Sequence, residues 1–102
     1  MEIQALLERM KKALLLNQFD FVERQKNLEF LANYGLNIQT IKQCILDLKP
    51  QDYKEGPLQD RDRPGELWVF VIELEGIENI YIKLKLFNYN SKECLKCISF
   101  HN

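Results

Sequence analysis

The hydrophobic period of this chain changes once, from 3.6 residues to 2, and the change falls near Gly65. That switch restricts the fold more than any other feature, because a helical face and a strand face need different spacings of apolar side chains. Before it, Ile3, Leu6, Leu7, Met10 and Leu14 form one face of an amphipathic helix, with Glu8, Arg9, Lys11 and Lys12 on the other. Asp20 and Glu23 have capping-box spacing, which predicts a second helix from near Phe21 with Leu28, Leu31 and Ala32 as its apolar stripe. Gly35 supplies a left-handed stop. Asn37 can cap a third helix carrying Ile38, Ile41, Ile45 and Leu48, which Pro50 forbids to continue.

Gln51 to Gly65 reads as a long loop, bracketed by Gly56-Pro57 and Pro64-Gly65 around Gln59-Asp60-Arg61-Asp62-Arg63. Loops of that length in compact domains are often functional. Beyond it, Glu66 to Leu74 is a nearly continuous apolar strand, Gly76 marks a turn, Ile80 to Phe87 alternates, and Cys94 to His101 forms a last strand. Helices first and strands after predict a single α+β domain over residues 1–102. Its expected architecture is three N-terminal helices packed on one face of a three-stranded antiparallel sheet.

Composition narrows function mainly by exclusion. A net charge of −1 and a pI near 5.8 argue against a binder that relies on a large basic field. The segment Tyr81 to Asn102 is nevertheless locally positive, with Lys83, Lys85, Lys92 and Lys96 against Glu93. The longest apolar run, Leu67 to Ile72, falls well short of the about 20 residues of a membrane span. Three cysteines, Cys44, Cys94 and Cys97, with no signal peptide, predict free thiols in a reducing compartment and a cytoplasmic protein. Cys94 and Cys97 lie three apart in a strand and so point to opposite faces, and no second Cys/His pair completes a tetrahedral set. Neither a metal nor a cofactor is expected.

The last two strands carry the most informative constellation. Folding them as a hairpin with Ile82 beside Phe100 and Leu84 beside Ile98 completes an apolar face, and a one-residue slip would destroy it. The same register sets Tyr81 beside His101, Lys83 beside Ser99 and Lys85 beside Cys97 on the opposite face. A phenol, an imidazole, a hydroxyl and ammonium groups so arranged suit cleavage of RNA without metal: a base takes the 2′-OH proton, an acid protonates the leaving oxygen, and cations stabilise charge on phosphate. His101 is the one histidine and its ordinary pKa near 6.5 suits either proton role. Lys54 and Lys83 can supply charge, and Tyr81 can stack on a base or move a proton. Arg61 and Arg63 of the loop can meet phosphate, and Arg24 and Lys26 can reach the same substrate. A solvated sheet face carries the same residue types, so a non-catalytic module that binds RNA or protein there is the alternative.

From Asn27 to His101 the chain resembles the MqsR-type toxins of bacterial toxin–antitoxin pairs, relatives of the RelE-type messenger-RNA interferases. The pieces that carry the resemblance are Gly35-Leu36, Asp52-Tyr53-Lys54 with Gly56-Pro57, Leu67-Trp68-Val69-Phe70, Ile80-Tyr81-Ile82-Lys83-Leu84 and Ile98-Ser99-Phe100-His101, in family order. The resemblance implies a RelE-like fold, a toxin that cleaves messenger RNA, and neutralisation by a cognate antitoxin. It also implies catalytic roles for Lys54 and Tyr81. His101 stands where the family pattern has a lysine, and Val69 where it has a glutamine, so one basic group is changed and one hydrogen-bonding role is missing or moved.

Overall fold

The computed structural model describes residues 2–102 and orders the chain as α1 (Ile3–Leu15), β1 (Phe19–Phe21), α2 (Gln25–Tyr34), α3 (Ile38–Leu46), a 3₁₀ turn (Pro50–Asp52), β2 (Tyr53–Gln59), β3 (Glu66–Leu74), β4 (Ile77–Tyr89) and β5 (Lys92–His101). The fold is α+β as expected, but the sheet has five strands, in the order β1-β5-β4-β3-β2, rather than three. It is also mixed, because β1 pairs with β5 in parallel.

Where the sequence signals are local, the elements match them. Glu2 caps α1 by accepting from the backbone N–H groups of Gln4 and Ala5, at 2.7 and 3.2 Å. Gly35 ends α2 in the left-handed conformation, with φ of 65°. Asn37 caps α3 through a capping box with Thr40.

Where the partner is distant, the reading from local signals fails. Asp20 and Glu23 do not open a helix. Phe19 and Phe21 pack their rings against the core, which is strand spacing, and their backbone pairs with Leu95 and Cys97. The helix therefore starts at Gln25, and its buried residues are Asn27 and Phe30, while Leu28 is exposed. The expected long loop is likewise half strand: Tyr53 to Gln59 pairs with β3 through two irregularities in register. Gly56 permits this, since its φ is 144° and a Cβ there would lie 2.7 Å from Trp68 Cδ1. Only Asp60 to Gly65 remains as a connection, closed by the Asp60 N–H donating to the Gly65 carbonyl at 3.2 Å.

The core lies between the helices and the inner face of the sheet. Leu6, Leu7 and Met10 of α1 and Ile41 and Ile45 of α3 meet Phe70, Ile80, Ile82, Leu84, Leu95 and Phe100 there. Phe30 sits edge-on to Phe100, ring centres 5.9 Å apart. Truncating a ring so buried costs about 3–5 kcal/mol. Among the described residues no helix is long and apolar enough to cross a membrane. The buried residues of the helices share one cluster with the inward side chains of the sheet, and the outward residues of β3, β4 and β5 lie on its other face.

Candidate active site

The β4–β5 hairpin pairs Tyr81 with His101, Ile82 with Phe100 and Lys83 with Ser99, in the expected register. Beyond that point the register shifts by one, to Leu84 with Cys97 and Lys85 with Lys96. Ile98 is the extra residue of this bulge. It is half-buried rather than in the core, and Cys97 takes the inner position expected of it. Ser99 lies beside this bulge. That residue holds an outer-face register position yet is only 4% exposed. The Asn27 side chain of α2 bonds the backbone on either side of it, accepting from Phe100 N–H at 3.0 Å and donating to the Ile98 carbonyl at 3.0 Å. Ser99 is therefore not open to a substrate in the way the alternation suggests.

Lys54 reaches the same surface from β2. Its Nζ lies 5.9 Å from the centre of the Tyr81 ring, so the side chain spans β3 to cover the phenol. Tyr81 is 39% exposed, with one side toward Lys54 and its register neighbour His101 on the next strand. Directly opposed residues in a sheet stand about 4.5–5.5 Å apart at Cβ. An ammonium from β2, a phenol from β4 and an imidazole from β5 thus line up, with β3 between the first two.

The surroundings of His101 are cationic. Burial pushes its pKa below the ordinary 6.5, and the charges of Lys26, Arg24 and Lys83 push it the same way, opposed by a contact between Nδ1 and the Asn102 carbonyl at 3.3 Å. Arg24 is the residue that precedes the first turn of α2 and Lys26 lies within that turn. The helix start that brings Asn27 to β5 therefore brings these two charges to His101 as well. Cations around the imidazole disfavour its protonated form and favour an anion beside it.

Arg61 and Arg63 do not join this end. They line a cavity of about 790 Å³ further along the outer face, together with Arg24, Lys83 and Lys96. Its apolar lining includes Val22, Leu67 and Ile98. Lys85 also borders the cavity, but its ammonium is spent. Nζ donates to Asp60 at 2.7 Å, and the two side chains are only 8% and 15% exposed. The hydrogen bond from Lys85 and one from the Asp62 backbone hold the Asp60 carboxyl down to about 2.

Three contributors to this face were missed in the sequence. Asn27 carries no sequence signal of burial and is fully buried. The Asp60–Lys85 pair joins residues 25 apart, and no local signal in the sequence pointed to it. Lys96 lines the cavity because the bulge shifts it opposite Lys85. The cysteines are free; Cys97 is buried, which drives its thiol up to about 12, and Cys94 lies on the other face of β5. Among the described residues no three His, Cys, Asp or Glu side chains gather as a metal site. No family model, curated protein or solved structure matches this chain.

Proposed function

We propose that this chain is an endoribonuclease that cleaves messenger RNA without a metal, acting as the toxin of a toxin–antitoxin pair with a RelE-like arrangement. The observation that carries this reading is the alignment of Lys54 over the Tyr81 ring at 5.9 Å with Tyr81 in register with His101. His101, its pKa lowered by burial, is the base that takes the 2′-OH proton. The freed oxygen forms a bond to the adjacent phosphorus, the bond from phosphorus to the 5′-oxygen breaks, and that oxygen leaves with a proton from Tyr81 or solvent. Lys54 and Lys83 stabilise the charge that grows on the phosphate oxygens. The products are a 2′,3′-cyclic phosphate and a 5′-hydroxyl.

End mapping of a cleaved transcript tests the chemistry. Cyclic phosphate at one end and free 5′-hydroxyl at the other are expected; 5′-phosphate and 3′-hydroxyl ends would mean that water is the nucleophile. His101→Ala is expected to fold normally and to lose about 10²–10⁴ in rate. Tyr81→Phe divides the two uses of the phenol: retained cleavage means stacking, lost cleavage means that the hydroxyl moves a proton. RNA bound but uncut by wild-type protein would mark the face as a non-catalytic binding module.

A further inference from the structure

The cavity on the outer face shares two residues with the surroundings of His101. Lys83 and Arg24 both line it and both act on the imidazole. It is therefore continuous with the reacting end and extends from it toward the β2–β3 connection. Lys83 and Lys85 are two residues apart on β4, which is roughly 7 Å along the strand. The cavity thus begins beside the scissile position and runs past it. Six cationic side chains border it against two carboxylates, Asp60 and Asp62. Between them lie the aliphatic side chains of Val22, Leu67 and Ile98. Cations at the border and aliphatic surface between them match a nucleotide strand, with phosphates on the first and base or sugar faces on the second. Guanidinium groups suit phosphate because their planar donors can pair two oxygens at once.

The arginines that form one wall are not placed by packing of their own, since both are exposed. What fixes their loop is Asp60. Its Oδ1 accepts from the Asp62 N–H at 3.0 Å, its Oδ2 accepts from Lys85 at 2.7 Å, and its own N–H closes the loop onto Gly65. Gly65 leaves the space the lysine stem fills, as a Cβ there would lie 2.7 Å from Lys85 Cε. Withdrawing an ammonium from water is costly, and Asp60 offsets that cost only while the loop stays docked. An outward lysine on a cationic face is thereby converted from a ligand for anions into an anchor for the loop.

We propose that this cavity is a binding subsite for the sugar–phosphate strand flanking the scissile bond of single-stranded RNA, with Arg61 and Arg63 as its anion-binding wall and the Asp60–Lys85 pair as the device that positions that wall. The proposal rests on the endoribonuclease reading above. Among the described residues no aromatic side chain lines the cavity, so the subsite holds phosphates and tolerates any base, and its affinity falls steeply with salt.

The probe is a short single-stranded RNA with 2′-O-methyl sugars throughout, which removes the nucleophile and leaves the phosphates. Replacing both Arg61 and Arg63 by alanine is expected to weaken binding about tenfold per arginine. It should also flatten the slope of log affinity against log salt by about 1.4. Their exposure means that thermal stability should not move. Asp60→Ala separates position from charge. If charge alone mattered, removing a carboxylate would tighten RNA binding; loss of the anchor should weaken it. Because that variant leaves Lys85 unpaired, Asp60→Ala with Lys85→Met is the companion. It keeps the net charge of the cavity, so weaker binding in a folded protein reports the loop alone, and unchanged binding would overturn the positioning role. Unchanged affinity in the arginine double variant would overturn the subsite even if the protein cuts RNA. Arginine-dependent binding by a protein that never cuts any transcript would leave the subsite standing and remove the enzyme. Binding of a polyglutamate peptide in place of the RNA would assign the cavity to an acidic protein partner and overturn the proposal.

Discussion

His101 shows how a single side chain is tuned by where its strand ends. Burial and the charges of Lys26, Arg24 and Lys83 lower its pKa, so the neutral imidazole persists to lower pH than usual. On the proposed function it acts as a base when unprotonated, so activity is expected to be lost as pH falls through the folded-state value. The acid limb of kcat/KM is therefore expected below the ordinary 6.5. Lys26→Gln removes one of the charges and should move that limb upward, toward 6.5; a limb that stays put or moves down would detach Lys26 from the imidazole. Asn27, the next residue, is a structural counterpart. Its amide donates to the Val22 and Ile98 carbonyls and its oxygen accepts from Phe100 N–H, taking the place of strand partners where β1 has ended. Asn27→Ala leaves these buried groups without partners, and about 2–4 kcal/mol of stability should be lost in urea unfolding. Asn27→Asp should not rescue it, because a carboxylate would face two carbonyls. A loss below about 1 kcal/mol would mean that water replaces the amide.

Among the elements, β2 links fold to chemistry most directly, because its path sets where Lys54 stands. Gly56 lies against Trp68 with a Cβ position 2.7 Å from Cδ1 and 3.0 Å from the Leu67 carbonyl, at a φ of 144° that other residues rarely adopt. Gly56→Ala is expected to cost about 1–3 kcal/mol and to reduce cleavage further than stability alone explains, by shifting Lys54 off Tyr81. Thermal melting and single-turnover rates on the same preparation check this, and unaltered cleavage would uncouple the strand's path from the site. The same glycine accounts for the misreading of β2 as loop, since Gly-Pro ordinarily signals a break and only pairing with β3, through Tyr53, Glu55, Leu58 and Gln59, makes a strand of it. Phe19–Phe21 was hidden for a related reason: three residues are too few for a period, and their partners lie more than seventy positions away. By contrast, α1, α3 and the β4–β5 hairpin were legible because caps, periods and a tight connection are all local. The register at Tyr81, Lys83 and His101 followed from that hairpin. The bulge at Ile98 did not, because alternation of Ile98 with Phe100 looked regular, and nothing near it in sequence indicates that α2 takes hold of the strand there.

At the scale of the whole molecule, charge is separated rather than abundant. The chain carries a net charge of −1, yet the outer face of the sheet gathers Lys54, Arg61, Arg63, Lys83 and Lys96 around His101 and the cavity beside it. At the other end of β5, Arg9 is paired with Glu93. A small positive field on a neutral body gives salt-sensitive contact with a polyanion without general adhesion to nucleic acid. It also defines what would silence the protein. A nuclease of messenger RNA harms the cell that makes it, so on the proposed function a dedicated inhibitor is required, and this one face is all that it must cover. Carboxylates set against Arg61, Arg63 and Lys83 would meet the same groups as the RNA, and competition should follow. Three arms in one host test this. Inducible expression of the wild-type chain should arrest growth with loss of full-length transcripts. His101→Ala should leave growth and transcripts intact at equal protein level. Co-expression of a cognate inhibitor should restore growth, and the purified pair should no longer bind the 2′-O-methyl RNA. Harmless accumulation of folded wild-type protein with no inhibitor present would contradict both the toxin role and the need for a partner, because an unopposed nuclease cannot be silent.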